Sequence, residues 1–200
     1  MLTLVWDVDD VLNDFMQCWF EKWWCVKNAS CTLSYHNLVT NPPYEILGIT
    51  LEEYQNSIDE FRLSRFFQQI PPNQEIYKWF CEYGQFFRHI AVTAVPRIAA
   101  SASASWTFKY FGDWLRSFHF VPSQRPGEKL PQYDSTKGEY LSWLSKVDVF
   151  IEDNESNVLE LEKLGMRTIV VAQPWNSSKI KIEELLSMLT GMHNDNGLVE

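Results

Sequence analysis

At 200 residues the chain has room for one sizeable core, or a core with a small inserted subdomain, and two independent domains would be cramped. Its apolar share of 46% and charged share of 22% are those of a globular protein, whereas 15% aromatics with nine Trp is high and calls for a dense core or an aromatic-lined pocket. A formal charge of -9 without any run of Lys or Arg argues against a nucleic-acid polymer as partner, because duplex binding needs basic groups to replace condensed counterions.

The first predicted element is a strand over residues 2–6, "LTLVW", which ends in Asp7, Asp9 and Asp10 before another apolar pair, Val11 and Leu12. From about Asp14 to Glu82 no buried strand is predicted, only aromatic-rich helical pattern such as "DFMQCWFEKWW" and "LEEYQNSIDEFRLSRFF", punctuated by Pro42-Pro43 and Pro71-Pro72. That segment is too long for a plain crossover and too apolar for a loop, so it reads as a helical insertion. Strands follow at 89–93, 118–121, 147–151 and 167–171, separated by helical patterns in "AASASASWTFKYFGDWL", "KGEYLSWLS" and "ESNVLELEKLG". Their hydrophobicity is continuous rather than alternating, as for strands covered on both faces. The prediction is an α/β fold: a Rossmann-like parallel sheet formed by 1–13 and 83–190, a small helical cap over 14–82 inserted after the first strand, and a polar, frayed tail over 191–200.

Two further absences shape the expected location. Nothing at the N-terminus reads as a secretion signal, and no apolar stretch approaches the roughly 18 residues of a membrane span. Cys18, Cys25, Cys31 and Cys81 show no CxxC spacing and read as free thiols. A soluble cytoplasmic protein with no membrane partner is expected.

The three acids at the end of the first strand pose an electrostatic question, since carboxylates gathered at one point repel one another. A DxD pair alone is weak evidence; its position directly after an apolar strand and before Val11-Leu12 is more specific. In an open α/β sheet ligands bind beyond the carboxyl ends of the strands. Asp7, Thr93 and Asp153 each stand at such an end, with Lys137 at a helix start where a cation is electrostatically misplaced. Four polar groups from distant parts of the chain therefore converge on one rim.

These residues carry a family resemblance. "DVDDVL" resembles the first motif of the haloacid dehalogenase-like phosphohydrolase superfamily, with Asp7 and Asp9 in its two Asp places. Thr93 in "IAVTAVP", Lys137 in "STKGEYL" and Glu152-Asp153 in "VDVFIEDNESN" resemble the second, third and fourth motifs, in order. The resemblance implies a magnesium-dependent phosphomonoester hydrolase acting on a small phosphorylated substrate. Asp7 would be the nucleophile, Asp9 the acid and base, and Thr93 and Lys137 the catalytic groups that bind phosphate. Asp7, Asp9, Asp153 and, as an outer or occasional ligand, Glu152 would hold the metal. A hard cation among the acids would answer their repulsion. Asp10 departs from the pattern where Gly is frequent, and Asn157 where a second Asp is frequent.

Within the superfamily, "DVDDVLNDF" is most similar to the start of the 5′(3′)-deoxyribonucleotidases, which implies a nucleotide substrate with Phe15 as the stacking residue. The alternative substrate is a sugar phosphate or other small phosphorylated metabolite. A noncatalytic module that binds metal and phosphate is the rival from a different class, which the full set of Asp7, Asp9, Thr93, Lys137 and Asp153 disfavours.

Overall fold

The computed structural model describes residues 1–131, 133–144 and 146–197. Five strands, β1 (Thr3–Trp6), β2 (Arg88–Val95), β3 (Leu115–Pro122), β4 (Val149–Glu152) and β5 (Arg167–Val170), form one sheet. Its order is β3-β2-β1-β4-β5, with every neighbouring pair parallel. All five strands fall where continuous apolar runs predict them. Strand β3 begins three residues earlier than its apolar run, because it lies at the sheet edge where polar Arg116 and Ser117 can stay exposed.

The helices are α1 (Phe15–Trp19), α2 (Cys25–Lys27), α3 (Leu51–Leu63), α4 (Gln74–Tyr83), α5 (Ala100–Phe111), α6 (Lys137–Ser142), α7 (Glu155–Lys163) and α8 (Ile182–Gly197). A π-helical stretch, Phe20–Trp24, joins α1 to α2. Successive strand residues point to opposite faces, so β1 feeds two cores. Leu4 and Trp6 join Trp79, Phe80, Trp106, Phe111 and Leu185 on one side, whereas Val5 joins Ile90, Val92, Leu141, Phe150 and Leu161 on the other. Helices α4, α5 and α8 thus cover one face of the sheet, with α6 and α7 on the opposite face.

The high aromatic content builds core rather than an open pocket wall. Trp6, Trp19, Trp106, Phe15, Phe20, Phe61, Phe67, Phe80 and Phe111 are each less than 2% exposed. The regular elements within 14–82 are helices, as the pattern predicts, with mostly irregular chain between α2 and α3, but α4 at the end of that stretch lies on the sheet layer, with Trp79 and Phe80 against Trp6. An amphipathic aromatic helix has the same pattern over a sheet as in an insertion. The chain leaves and re-enters the sheet layer side by side: Asn13 bridges Pro72, and Asn73 N–H donates to Leu12 O at 2.8 Å.

Helix α8 runs through Gly197, where a frayed tail is expected from residue 191 onward. His193 stacks on Phe86 with ring centroids 4.4 Å apart, an apolar contact hidden in a polar-looking segment. Residues 198–200 of that expected tail lie outside the described residues.

The turn out of β1 is made by Asp10, whose φ of 62° lies in the left-handed region. Asp is among the few residues with a side chain that tolerate it, and this backbone geometry accounts for the place being one that suits Gly. Asp10 Oδ1 accepts Met16 N–H at 2.8 Å in the first turn of α1, and Asp10 O accepts Gln173 Nε2 at 2.7 Å. Replacing Asp10 with Ala keeps the strained φ and removes the cap, so urea unfolding should show a loss of about 1–3 kcal/mol. An unchanged midpoint would contradict this account of the turn.

His89, only 2% exposed, is held neutral in the core. Trp6 Nε1 donates to His89 Nδ1 at 3.0 Å, and the opposite ring nitrogen lies 2.8 Å from Gly84 O, which fixes the proton on Nε2. Burial lowers its pKa from 6.5 to about 4. The unfolded chain therefore binds a proton more readily than the folded one between these values, and stability falls as pH drops through them, by up to about 3 kcal/mol. Urea midpoints measured from pH 7 to pH 4 should fall less steeply in His89→Gln than in the native chain.

Candidate active site

The site lies where β1 and β4 end, the point at which the strand order reverses direction about β1. Trp6 pairs with Ala91 of β2 and Ile151 of β4, and Asp7 N–H donates to Ile151 O at 2.9 Å. This register sets Asp7, Thr93, Glu152 and Asp153 along one rim. A cleft of about 260 Å³ opens there between the sheet and α3. Asp7, Asp9, Thr93, Lys137, Glu152 and Asp153 all line it, so the motifs found far apart in the sequence meet in one space. Asp10 and Asn157, the two departures, line it as well.

Lys137 is the first residue of α6 and is 4% exposed. Its Nζ sits between two carboxylates, 2.9 Å from Asp7 Oδ1 and 2.8 Å from Glu152 Oε2. Thr136 caps the helix, accepting Glu139 N–H at 3.0 Å, and its hydroxyl donates to Glu160 Oε1 of α7 at 2.7 Å. Gly138 lets α6 and α7 approach, because a Cβ there would collide with the Glu160 carboxylate. Glu152 is fully buried, and its Oε1 accepts N–H groups of Asp153 and Asn154 at 3.2 and 3.0 Å. Its position is that of an anchor for Lys137 as much as of a metal ligand. Asp153 is fixed by Trp175, whose Nε1 donates to Oδ2 at 3.0 Å, and by Asn176, whose Nδ2 donates to the backbone carbonyl at 2.7 Å.

The electrostatics describe acids short of positive charge. Burial drives the Asp7 carboxyl up to about 7 against the pull of Lys137. It likewise lifts Asp10 and Asp153 well above the usual carboxylate range, and neighbouring acids add to the effect. Burial alone would lower Lys137, but Asp7, Glu152 and Asp153 outweigh it and hold the ammonium above its ordinary value. Asp7 and Asp153 are within hydrogen-bond reach of each other, which two carboxyls manage only by sharing a proton or a cation. Asp7, Glu152 and Asp153 each offer an oxygen, all within 4.8 Å of one another. This donor set fits a hard divalent cation.

Two side chains that line the cleft escape sequence reasoning. Arg62, from α3, donates through Nη2 to Asp9 Oδ2 at 2.9 Å and is 7% exposed. Arg125 lines the cleft and grips Asp59 of α3 with two bonds, at 2.6 and 2.8 Å. A buried Arg and Asp spaced i, i+3 within the apolar stripe Tyr54, Ile58, Phe61 is the one signal that could have drawn notice. Phe15 lines the cleft but is 1% exposed, packed edge-on against Phe67, with the Arg62 guanidinium 4.3 Å over its ring.

No family model matches the chain, and no curated protein matches it. Solved structures do. It is similar to a Thermotoga maritima protein assigned by prediction as a beta-phosphoglucomutase, with a TM-score of 0.61 and 19% identity over 96% of this chain and 99% of that one. A haloacid dehalogenase-like family hydrolase from Streptococcus pneumoniae aligns with a TM-score of 0.58 and 10% identity, covering 94% and 90% of the two chains. A predicted hydrolase of the same superfamily from Bacillus subtilis, solved with magnesium bound, aligns with a TM-score of 0.57 and 15% identity over 96% and 98%. Among the described residues no helix is long and apolar enough to cross a membrane. The parallel five-stranded sheet and its covering helices are those of the haloacid dehalogenase-like fold.

Proposed function

We propose that this chain is a magnesium-dependent phosphomonoester hydrolase that works through an aspartyl phosphate on Asp7, with a small polar phosphorylated metabolite such as a sugar phosphate as substrate. The observation that carries the reading is Asp7 buried at the end of β1, paired with Lys137 at 2.9 Å and in contact with Asp153. Uncatalysed phosphate monoesters hydrolyse so slowly that over about 20 kcal/mol of barrier must be removed, most of it by positioning and charge neutralisation.

Asp7, the backbone carbonyl of Asp9, and Asp153 would hold the magnesium ion, with Glu152 behind them; when bound, it offsets the repulsion between carboxylate and phosphate. A carboxylate oxygen of Asp7 attacks phosphorus as the bond to the leaving oxygen breaks. Asp9 gives that oxygen its proton, then takes one from the water that attacks the phosphoenzyme, so inorganic phosphate leaves and Asp7 is restored. Thr93 donates its hydroxyl to a phosphate oxygen. Lys137, held by Glu152 at 2.8 Å, carries its positive charge to the phosphate while fixing Asp7. The helical segment between β1 and α4 acts as a cap that limits access to the cleft and meets the rest of the substrate. The cysteines described are all free, which fits a reducing cytosol.

A nucleotide would need an exposed aromatic face for its base. Phe15, the residue expected to supply it, is covered by Arg62 at 4.3 Å, and this favours the sugar-phosphate alternative. A binding module without turnover would have no need of an acid beside the nucleophile.

Asp7→Asn should lower hydrolysis of p-nitrophenyl phosphate on the order of 10⁴-fold or more with an unchanged circular dichroism spectrum. Full activity in that variant would end the proposal. Chelation of divalent metal should abolish turnover and added magnesium restore it; turnover indifferent to both would remove the metal from the account. Lys137→Met should lose activity and also destabilise the chain by about 3–5 kcal/mol, because Asp7 and Glu152 are left as unpaired buried charges.

A further inference from the structure

We propose that Arg62 is a specificity residue that recognises an anionic substituent, a carboxylate or a second phosphate, on the part of the substrate that departs as the alcohol; this rests on the phosphatase reading above. The side chain lines the cleft and is 8% exposed, yet it is poorly satisfied. Its one short bond runs from Nη2 to Asp9 Oδ2 at 2.9 Å. Nη1 stands 3.7 Å from Asp59 Oδ1, beyond hydrogen-bond distance, and Nε is buried with no partner. Asp59 is turned to Arg125 instead, which bonds both of its oxygens, at 2.6 and 2.8 Å. Arg125 in turn is held by Ser123, whose hydroxyl accepts Nη1 at 2.9 Å.

Asp9 is therefore the close counter-charge of Arg62, and it is also the group that must turn to the leaving oxygen. Asp9 Oδ1 is buried without a partner, so Asp9 can offer that oxygen to the leaving group while Oδ2 stays on Arg62. The guanidinium is still left with Nε unpartnered and Nη1 3.7 Å from Asp59 Oδ1, and a buried cation so sparsely bonded is costly. An anionic group on the substrate supplies the missing bonds, in the planar two-bond geometry that guanidinium and carboxylate or phosphate share. A substrate without such a group leaves those donors unmet.

Three esters of equal chain length separate the cases: propyl phosphate, its carboxylated analogue phosphooxypropanoate, and propanediol bisphosphate, each assayed with magnesium. The native chain should favour one or both anionic esters over propyl phosphate by about 10-fold or more in kcat/KM, and which one it favours identifies the group. In Arg62→Gln that ratio should fall towards unity, mainly through KM for the anionic ester, and Arg62→Lys should restore part of it. Equal kcat/KM for all three in the native chain, or a preference that survives in Arg62→Gln, overturns the assignment. The native ratio tests it even where Arg62→Gln fails to fold. Hydrolysis of none of the three overturns the phosphatase reading and this inference with it, whereas hydrolysis of all three without preference overturns this inference alone.

Discussion

The buried ammonium of Lys137, set between Asp7 and Glu152, is the interaction on which the rest of the site depends. Each partner comes from a different part of the fold: Asp7 from the end of β1, Glu152 from the end of β4, and Lys137 from the start of α6. None of these charges is tolerable alone in a desolvated rim. Together they fix the orientation of the Asp7 carboxyl and leave an excess of negative charge towards Asp153. The excess is what suits the cleft to a cation, and it arises from burial as much as from the number of acids. Gly138, the residue after the lysine, leaves room for the Glu160 side chain of α7 beside the start of α6.

The sheet supplies the precision. β1 and β4 end almost level, whereas β2 runs four residues beyond Ala91, the partner of Trp6, so the register of β1 against β2 and β4 determines which side chains share the cleft. Asp7 and Asp153 follow the last residues of their strands, while Thr93 reaches the cleft from within β2, two residues before its end. Side chains on rigid elements can hold reacting geometry more tightly than side chains on loops. Asp9 is the exception, since it sits in the turn that leads out of β1 and is held by a residue of α3.

Much of this was legible in the amino-acid order. Asp7, Thr93, Lys137, Glu152 and Asp153 could be picked out because they stand at the ends of apolar runs or at a helix start, positions defined by local pattern. Arg62, Arg125 and Asp59 could not, because their roles come from pairings across 53 and 66 residues that no local pattern encodes. The destination of α4 was hidden for a related reason: its aromatic stripe fits a sheet face and an inserted helical layer equally well. Phe15 shows the same limit from the other side, being placed at the cleft yet with its ring occupied by a neighbour from α3. His193 and the last turns of α8 were obscured by a polar composition that gives no sign of the stacking contact with Phe86.

The paired neck at Asn13 and Pro72, with Asn73 bonded to Leu12, gives the long excursion between β1 and α4 the geometry of a closed loop whose two ends touch. The entropy of closing such a loop grows only slowly with its length. Length changes in its exposed turns thus add little closure entropy, while the strands beneath keep their alignment. Its buried aromatics, Phe15, Trp19, Phe61 and Phe67, are under the same packing constraint as the rest of the core.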